Sequence, residues 1–213
     1  MAEDRPLTVP RGRHAPPLEV RLDVQRRRLF LAAAAVFARG GYAEASAEAI
    51  AREAGMSKAT FYAHFANKEE CILALIDEAA AEAMRAMAEA SAGQRSPYRR
   101  HVTDQLAAFV QTLTEYPTTA QTLLVEIVGA GPRAAERRDA MLAAFAQSLY
   151  RDNARAAARE GAPRFASLDD AFAVIGATAE LVSRHLRVGV PDDVRDLLPV
   201  LERLIFGLLR DEG

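Results

Sequence analysis

The stretch Ser57 to Lys68, SKATFYAHFANK, gathers Ser57, Lys58, Thr60, Tyr62, His64 and Lys68 around two phenylalanines and carries no carboxylate. Phe61 and Phe65 stand four residues apart, so on a helix they share an inward side and leave Lys58, Ala59, Thr60, Tyr62 and His64 mostly outside it. Laid in the major groove of DNA, such a helix turns its N-terminal residues to base edges. Lys58 can donate to guanine O6 and N7, Thr60 can bond or pack on a thymine methyl, and Ala59 can make only apolar contact. A helix that met only protein would not need this surface. Cations also sit where a helix dipole opposes them: Arg26, Arg27 and Arg28 near the start of one helix, and Lys68 in the first turn of another. An external anion explains both, and phosphate is the natural one. For the arginine triplet, a solvated cluster beside Asp23 is the plainer alternative.

These residues need elements to position them. Ser46 is a good N-cap, and Ala47, Ile50, Ala51 and Ala54 recur at helical spacing after it. Gly55 falls where a chain leaving a helix favours a left-handed residue. Ser57 can then cap a second short helix. A small Ala51, a glycine turn and a large Phe61 are what two helices crossing in a helix-turn-helix require. A first helix from about Leu22 to Arg39, ended by Gly40 and Gly41, puts Leu29, Ala32, Ala33, Val36 and Phe37 on one face. Asn67 caps a long fourth helix, Lys68 to Ala90, the mechanical link to whatever follows.

From about Arg26 to Ile72 the sequence resembles the TetR/AcrR family of bacterial one-component transcriptional regulators. The resemblance rests on Arg26, Leu29, Ala32, Ala33, Phe37, Gly41, Tyr42, Ser46, Ile50, Ala51, Gly55, Ser57, Tyr62, His64, Phe65 and Lys68, in order. Phe30 and Cys71 stand where the family usually has leucine, and Ala66 where it often has proline or glycine; none of the three touches an expected DNA contact. The resemblance implies an all-α chain, with an N-terminal three-helix helix-turn-helix domain followed by a larger helical ligand-binding and dimerisation domain. It implies double-stranded operator DNA as partner, and phosphate contacts from Tyr62 and His64 together with Ser46, Lys68 and Arg26. For Tyr62, half-buried packing is the alternative. It further implies a homodimer built on the last helices. The family's common mode is repression, with a small molecule in a mostly apolar cavity moving the fourth helix and spreading the recognition helices from their separation of about 34–36 Å.

Composition sets the bounds. At 213 residues, half of them hydrophobic, the chain can bury a sizeable core. No apolar run reaches the ~20 residues that span a bilayer, and the N-terminus lacks the layout of a secretion signal, so a cytoplasmic protein is expected. The net charge of −2 hides an asymmetry: residues 1 to 68 carry 11 Arg and Lys against 7 Asp and Glu, and the remainder 16 against 22. The basic end is the nucleic-acid end. The single cysteine, Cys71, excludes an intrachain disulfide and sits on the apolar side of the fourth helix, as buried filler rather than a redox sensor.

Three divisions follow: a flexible arm over 1–20, a DNA-binding domain over 21–68, and a helical effector-binding and dimerisation domain over 69–213. The arm holds four prolines, and its Arg5, Arg11, Arg13 and His14 either reach into a minor groove or make no contact. Helices are expected from Pro97 to Glu115, Thr118 to Val128, Ala134 to Glu160, Leu168 to Val188 and Asp192 to Leu209, with no strand. Gly129-x-Gly131-x-x-Ala134 imitates a dinucleotide-binding turn, but no parallel sheet surrounds it, and a loop that ends a helix explains it. Phe172, Ile175, Gly176, Ala179, Val182, His185 and Leu186 form one apolar stripe and Leu197, Leu201, Leu204, Ile205 and Leu208 another, together an expected two-fold four-helix interface. Cavity walls are expected from Phe109, Leu113, Leu124, Ile127, Met141, Phe145 and Phe172. Polar contacts to an apolar or amphipathic effector are expected from His101, Gln105, Tyr116, Glu126, Tyr150, Asn153 and Thr178. The four histidines are far apart, and no catalytic or phosphate-loop motif is present, so no metal, no cofactor and no enzyme activity are expected. The competing reading is a helical protein-interaction module, or a non-specific architectural DNA-binding protein without effector.

Overall fold

Pro17 opens the first helix, α1 (Leu18–Glu44), of a computed structural model that describes residues 17–92 and 97–210. The helix therefore starts before Leu22 and takes its first turn from the end of the expected arm; Arg5, Arg11, Arg13 and His14 lie outside the described residues. Its helical course breaks at Gly41, where φ is 75° and ψ 165°, a conformation that a side chain would strain. Leu29, Ala33, Ala34 and Phe37 face inward with no exposed surface.

Two short capped helices come next. Ser46 accepts from the Ala49 amide to start α2 (Ala47–Glu53), and Ser57 accepts from the Thr60 amide to start α3 (Lys58–His64). Between them Gly55 takes φ 64°, and Phe61, fully buried, anchors α3 against α1 and α2. Removing such a phenylalanine costs about 3–5 kcal/mol, so the angle between the two helices is set by packing rather than by α3's own stability.

Asn67 accepts from the Glu70 amide at 2.9 Å and begins α4 (Lys68–Ala90), whose Glu69 and Glu70 suit the positive end of the helix. Then come α5 (Tyr98–Glu115), α6 (Pro117–Leu124), a 3₁₀ turn at Glu126–Gly129, α7 (Pro132–Glu160) and α8 (Leu168–Val188). The Thr118–Val128 expectation thus divides into a helix and a tighter turn. Gly129 and Gly131 form the loop before α7, and the segment preceding them is helical, so the nucleotide-turn geometry is absent there. A 3₁₀ turn at Val194–Leu197 leads into α9 (Leu198–Gly207). One departure from the all-helical expectation is a two-residue ribbon, β1 (Arg164–Phe165) antiparallel to β2 (Leu209–Arg210). Asn153, buried in α7, fixes it by accepting from the Phe165 amide at 2.9 Å and donating to the Pro163 carbonyl at 3.0 Å.

Two cores result. One joins α1, α2, α3 and the first half of α4, and it includes Leu123, Ile127, Ala130 and Ala134 from beyond residue 69. The other lies among α5, α7, α8, α9 and the ribbon. Among the described residues, no helix is long and apolar enough to cross a membrane.

Candidate DNA interface and effector cavity

Helix α3 projects Ser57, Lys58, Ala59 and Tyr62 into solvent, with Thr60 and His64 half-buried beside them. Lys58 pairs with Glu48 of α2, both exposed; that contact raises the lysine's pKa and lowers the carboxylate's. Thr60 shares its hydroxyl with Ser57 at 2.9 Å, so the residues expected at base edges are held at the amino end of α3. The Tyr62 ring meets Phe61 edge-on at 5.5 Å and is 48% exposed, packed on one side and open on the other. His64 meets Gln25 of α1 at 3.2 Å, and burial, helped by the charge of Arg26, pushes its pKa down. Ser46, half-buried, is engaged as a cap.

Two expected phosphate ligands sit differently from expectation. The Lys68 ammonium donates to the carbonyls of Tyr42, Ala43 and Ala45 at 2.8, 3.0 and 2.9 Å, which accounts for its three protons, and it lies 4.5 Å from the Tyr42 ring centroid. It clamps the carbonyls that follow the Gly41 break, and this answers the dipole argument without DNA. Arg26 stands over the rings of Phe30 and Phe65 at 5.0 and 5.4 Å, leaning on the last residue of the recognition unit. Arg28, which sequence reasoning grouped with it, turns inward and donates to the Ala54 carbonyl at 2.7 Å, beside Gly55. The three arginines look alike in sequence; only helical phase separates them. Glu48, which sequence reasoning left unassigned, is the carboxylate that holds Lys58.

Cys71 is fully buried, and burial pushes its thiol pKa up to about 12, so it is a packing residue with little thiolate character.

Between α4 and α8 lies a cavity of about 190 Å³. Of the expected effector residues it gathers Gln105, Phe109, Leu113, Tyr116, Leu124, Met141, Phe145 and Thr178. It leaves out His101, whose ring meets Gln105 at 3.1 Å, and Ile127, which is buried in the other core. Tyr150 packs beside the second core, Phe172 is 41% exposed, Glu126 accepts from Gln121, and Asn153 is committed to the ribbon. The missed wall is α4 itself: Ala79, Ala83 and Met87 in one row, Ala80, Met84 and Ala88 in the next. Small residues at four-residue spacing on a helix already identified as the link were the available signal.

The expected interface stripes divide as well. Ala179, Val182, Leu197, Leu201 and Ile205 are buried within the chain, and Ile175, Ala179 and Ile205 line the cavity. His185 is tied to the Pro191 carbonyl at 2.6 Å. Phe172 and Leu208 stay exposed, with Gly176, Leu186 and Leu204 half-buried. Periodicity marked an apolar face correctly but could not say whether that face met the chain's own core or a neighbour.

Comparison places the whole arrangement. Residues 29–75 match the family described as bacterial regulatory proteins, tetR family. None of the curated proteins matches the chain. Among solved structures, the fatty acid degradation regulator FadR from Bacillus halodurans superimposes with a TM-score of 0.75 at 19% identity, over 88% of this chain and 97% of that one. FadR from Bacillus subtilis, in complex with stearoyl-CoA, gives 0.74 at 18% identity over 84% and 96%. A TetR-like transcriptional regulator from Rhodococcus sp. gives 0.61 at 21% identity over 86% and 94%. The capped helix-turn-helix thus lies inside the span that matches the tetR family, and the chain shares its fold with these solved regulators over most of its length.

Proposed function

We propose that the protein is a homodimeric, operator-binding repressor of the cytoplasm, released from DNA by a small apolar or amphipathic effector. The observation that carries this reading is the apolar cavity along α4, the helix that starts at the end of the recognition unit. At about 190 Å³ it exceeds the ~150 Å³ cavities known to admit benzene-sized ligands, and its few polar groups suit orientation rather than solvation. An effector that widens it displaces α4, and with α4 the spacing of two recognition helices. The stearoyl-CoA bound by the Bacillus subtilis relative supports a ligand with a hydrocarbon chain.

At the base edges we assign Lys58, Thr60 and Ala59. Phosphate positioning goes to Ser46, Ser57, Tyr62 and His64, with Arg26 available once it leaves its rings. Dimerisation is assigned to the face of α8 that carries Leu168, Phe172 and Gly176, where 41% of both large side chains remains exposed.

The test is a mobility shift on DNA from the protein's own upstream region, at two salt concentrations, with random DNA as competitor. Binding that outlasts the competitor supports operator recognition. Equal, salt-weakened binding to every sequence would point to an architectural protein, and no binding at all to a protein-interaction module.

A further inference from the structure

Among the described residues, the wall of the effector cavity carries a single charged side chain, Asp152 of α7, and no lysine, arginine or histidine. Asp152 accepts through Oδ1 from Arg155 at 3.2 Å, and that arginine side chain is 72% exposed. Its Oδ2 takes no hydrogen bond among the described residues. The cavity therefore holds an anion whose counter-charge stands in solvent.

Hydrogen positions single out a second acceptor. Ser91 donates its hydroxyl hydrogen to the carbonyls of Met87 and Ala88, each at 3.2 Å, so its oxygen is left to accept from Gln105 at 3.3 Å. Gln105 must turn its NH₂ group there, and the same nitrogen meets His101 Nε2 at 3.1 Å. Both amide hydrogens are thereby engaged, and Oε1 of this wall residue has no donor among the described residues. The two acceptors lie at one end of the cavity. The Tyr98 amide, at the start of α5, donates to Glu160 at the end of α7, and Gln105 and Asp152 each stand about two turns in from that junction. Thr178 of α8, 9% exposed, adds to the same wall a hydroxyl with no partner among the described residues.

Acceptors without donors call for a donor. An alkylammonium brings three N–H groups and a positive charge, and the faces of Phe109 and Phe145 on the wall suit a cation as well. An anionic head would meet Asp152 with no cation of the wall to offset the repulsion. We propose that the effector is an apolar primary amine whose ammonium pairs with Asp152 and donates to Gln105 while its hydrocarbon part fills the cavity. Such an amine is protonated at neutral pH, as lysine is. The proposal rests on the effector reading above and adds the ligand's chemical class.

The experiment is a calorimetric titration of the full-length protein at pH 7 with octylamine, 1-octanol and octanoate, which share a chain and differ in the charge of the head. Octylamine should bind about tenfold more tightly than octanol, the range expected for charge-assisted contacts, and octanoate most weakly. Asp152→Asn should erase the amine's margin and leave octanol unaffected. Octanol or octanoate binding as tightly as octylamine, or a margin that Asp152→Asn leaves untouched, would overturn the amine assignment while the cavity reading stands; the ranking needs no variant. Binding of all three that survives Ala83→Phe, which fills the cavity wall, would sink the cavity reading instead. Binding of none overturns the amine as effector.

Discussion

Thr122 of α6 donates its hydroxyl to the carbonyl oxygen of Ala34 in α1 across 3.0 Å, and neither residue has exposed surface. Its neighbours Thr119, Ala120, Leu123 and Leu124 line the cavity. A cavity wall is thus bonded to the first helix of the DNA-binding unit, in parallel with the connection through α4. Replacing Thr122 by valine keeps the volume and deletes the bond, which should lower stability by about 1 kcal/mol and Tm by roughly 2–4 °C. Thermal unfolding measures this directly; an unchanged Tm would show that the bond contributes nothing.

Lys68→Ala separates the clamp from a phosphate contact. If the ammonium serves the Tyr42, Ala43 and Ala45 carbonyls, its loss lowers stability by ~2 kcal/mol and leaves the salt dependence of DNA binding alone. Arg26→Ala should instead flatten that dependence by about one unit of slope. Mobility shifts across a salt series, run beside melting curves, distinguish the two outcomes.

His64 provides a pH handle. Its folded-state pKa lies below the ordinary histidine value because of burial, with Arg26 adding repulsion. The folded chain therefore takes up this proton less readily than the unfolded one. The stability linked to His64 is present above the unfolded pKa of about 6.5 and is lost as pH falls through the lower folded value. A DNA phosphate beside the ring would favour the protonated form, so operator affinity should rise as pH drops from about 8 to 6. His64→Gln should abolish both trends. If the variant's binding keeps the wild-type pH profile, His64 does not face phosphate.

Ala83→Phe places a ring against the α4 wall of the cavity. DNA affinity should survive, while release by a chain-bearing effector should require at least about tenfold more ligand. Release at the original concentration would exclude the cavity as the effector site.

Phe172→Glu tests the α8 face. A carboxylate at a buried two-fold contact meets its own copy, so the variant should sediment as a monomer and lose operator binding, with its helix content unchanged. A dimer of undiminished stability would move the interface elsewhere.

Local signals located most of the architecture. Ser46, Ser57 and Asn67 are caps where their side chains said they would be, and Lys68–Ala90 is a helix over that span, because capping and period-3.6 patterning are properties of a few adjacent residues. What stayed hidden depended on partners far along the chain. The Lys68 clamp needs a break at Gly41 that leaves carbonyls bare, 23 to 26 residues away. Arg26 and Arg28 differ only in the direction a helix turns them. Leu201 and Phe172 belong to similar stripes, yet one is sealed in the chain's own core and the other is open, since a hydrophobic period does not name what it packs against.

The first core draws Leu123, Ile127, Ala130 and Ala134 into the same mass as the helix-turn-helix. The reading head is therefore not a detachable module. A fragment ending near Lys68 would lack α4 as well as these four side chains, and would uncover Ile50, Phe37 and their neighbours to water. Domain grafts that splice at this boundary should carry the α6–α7 junction along with the head, and the intact chain should melt in one transition rather than two.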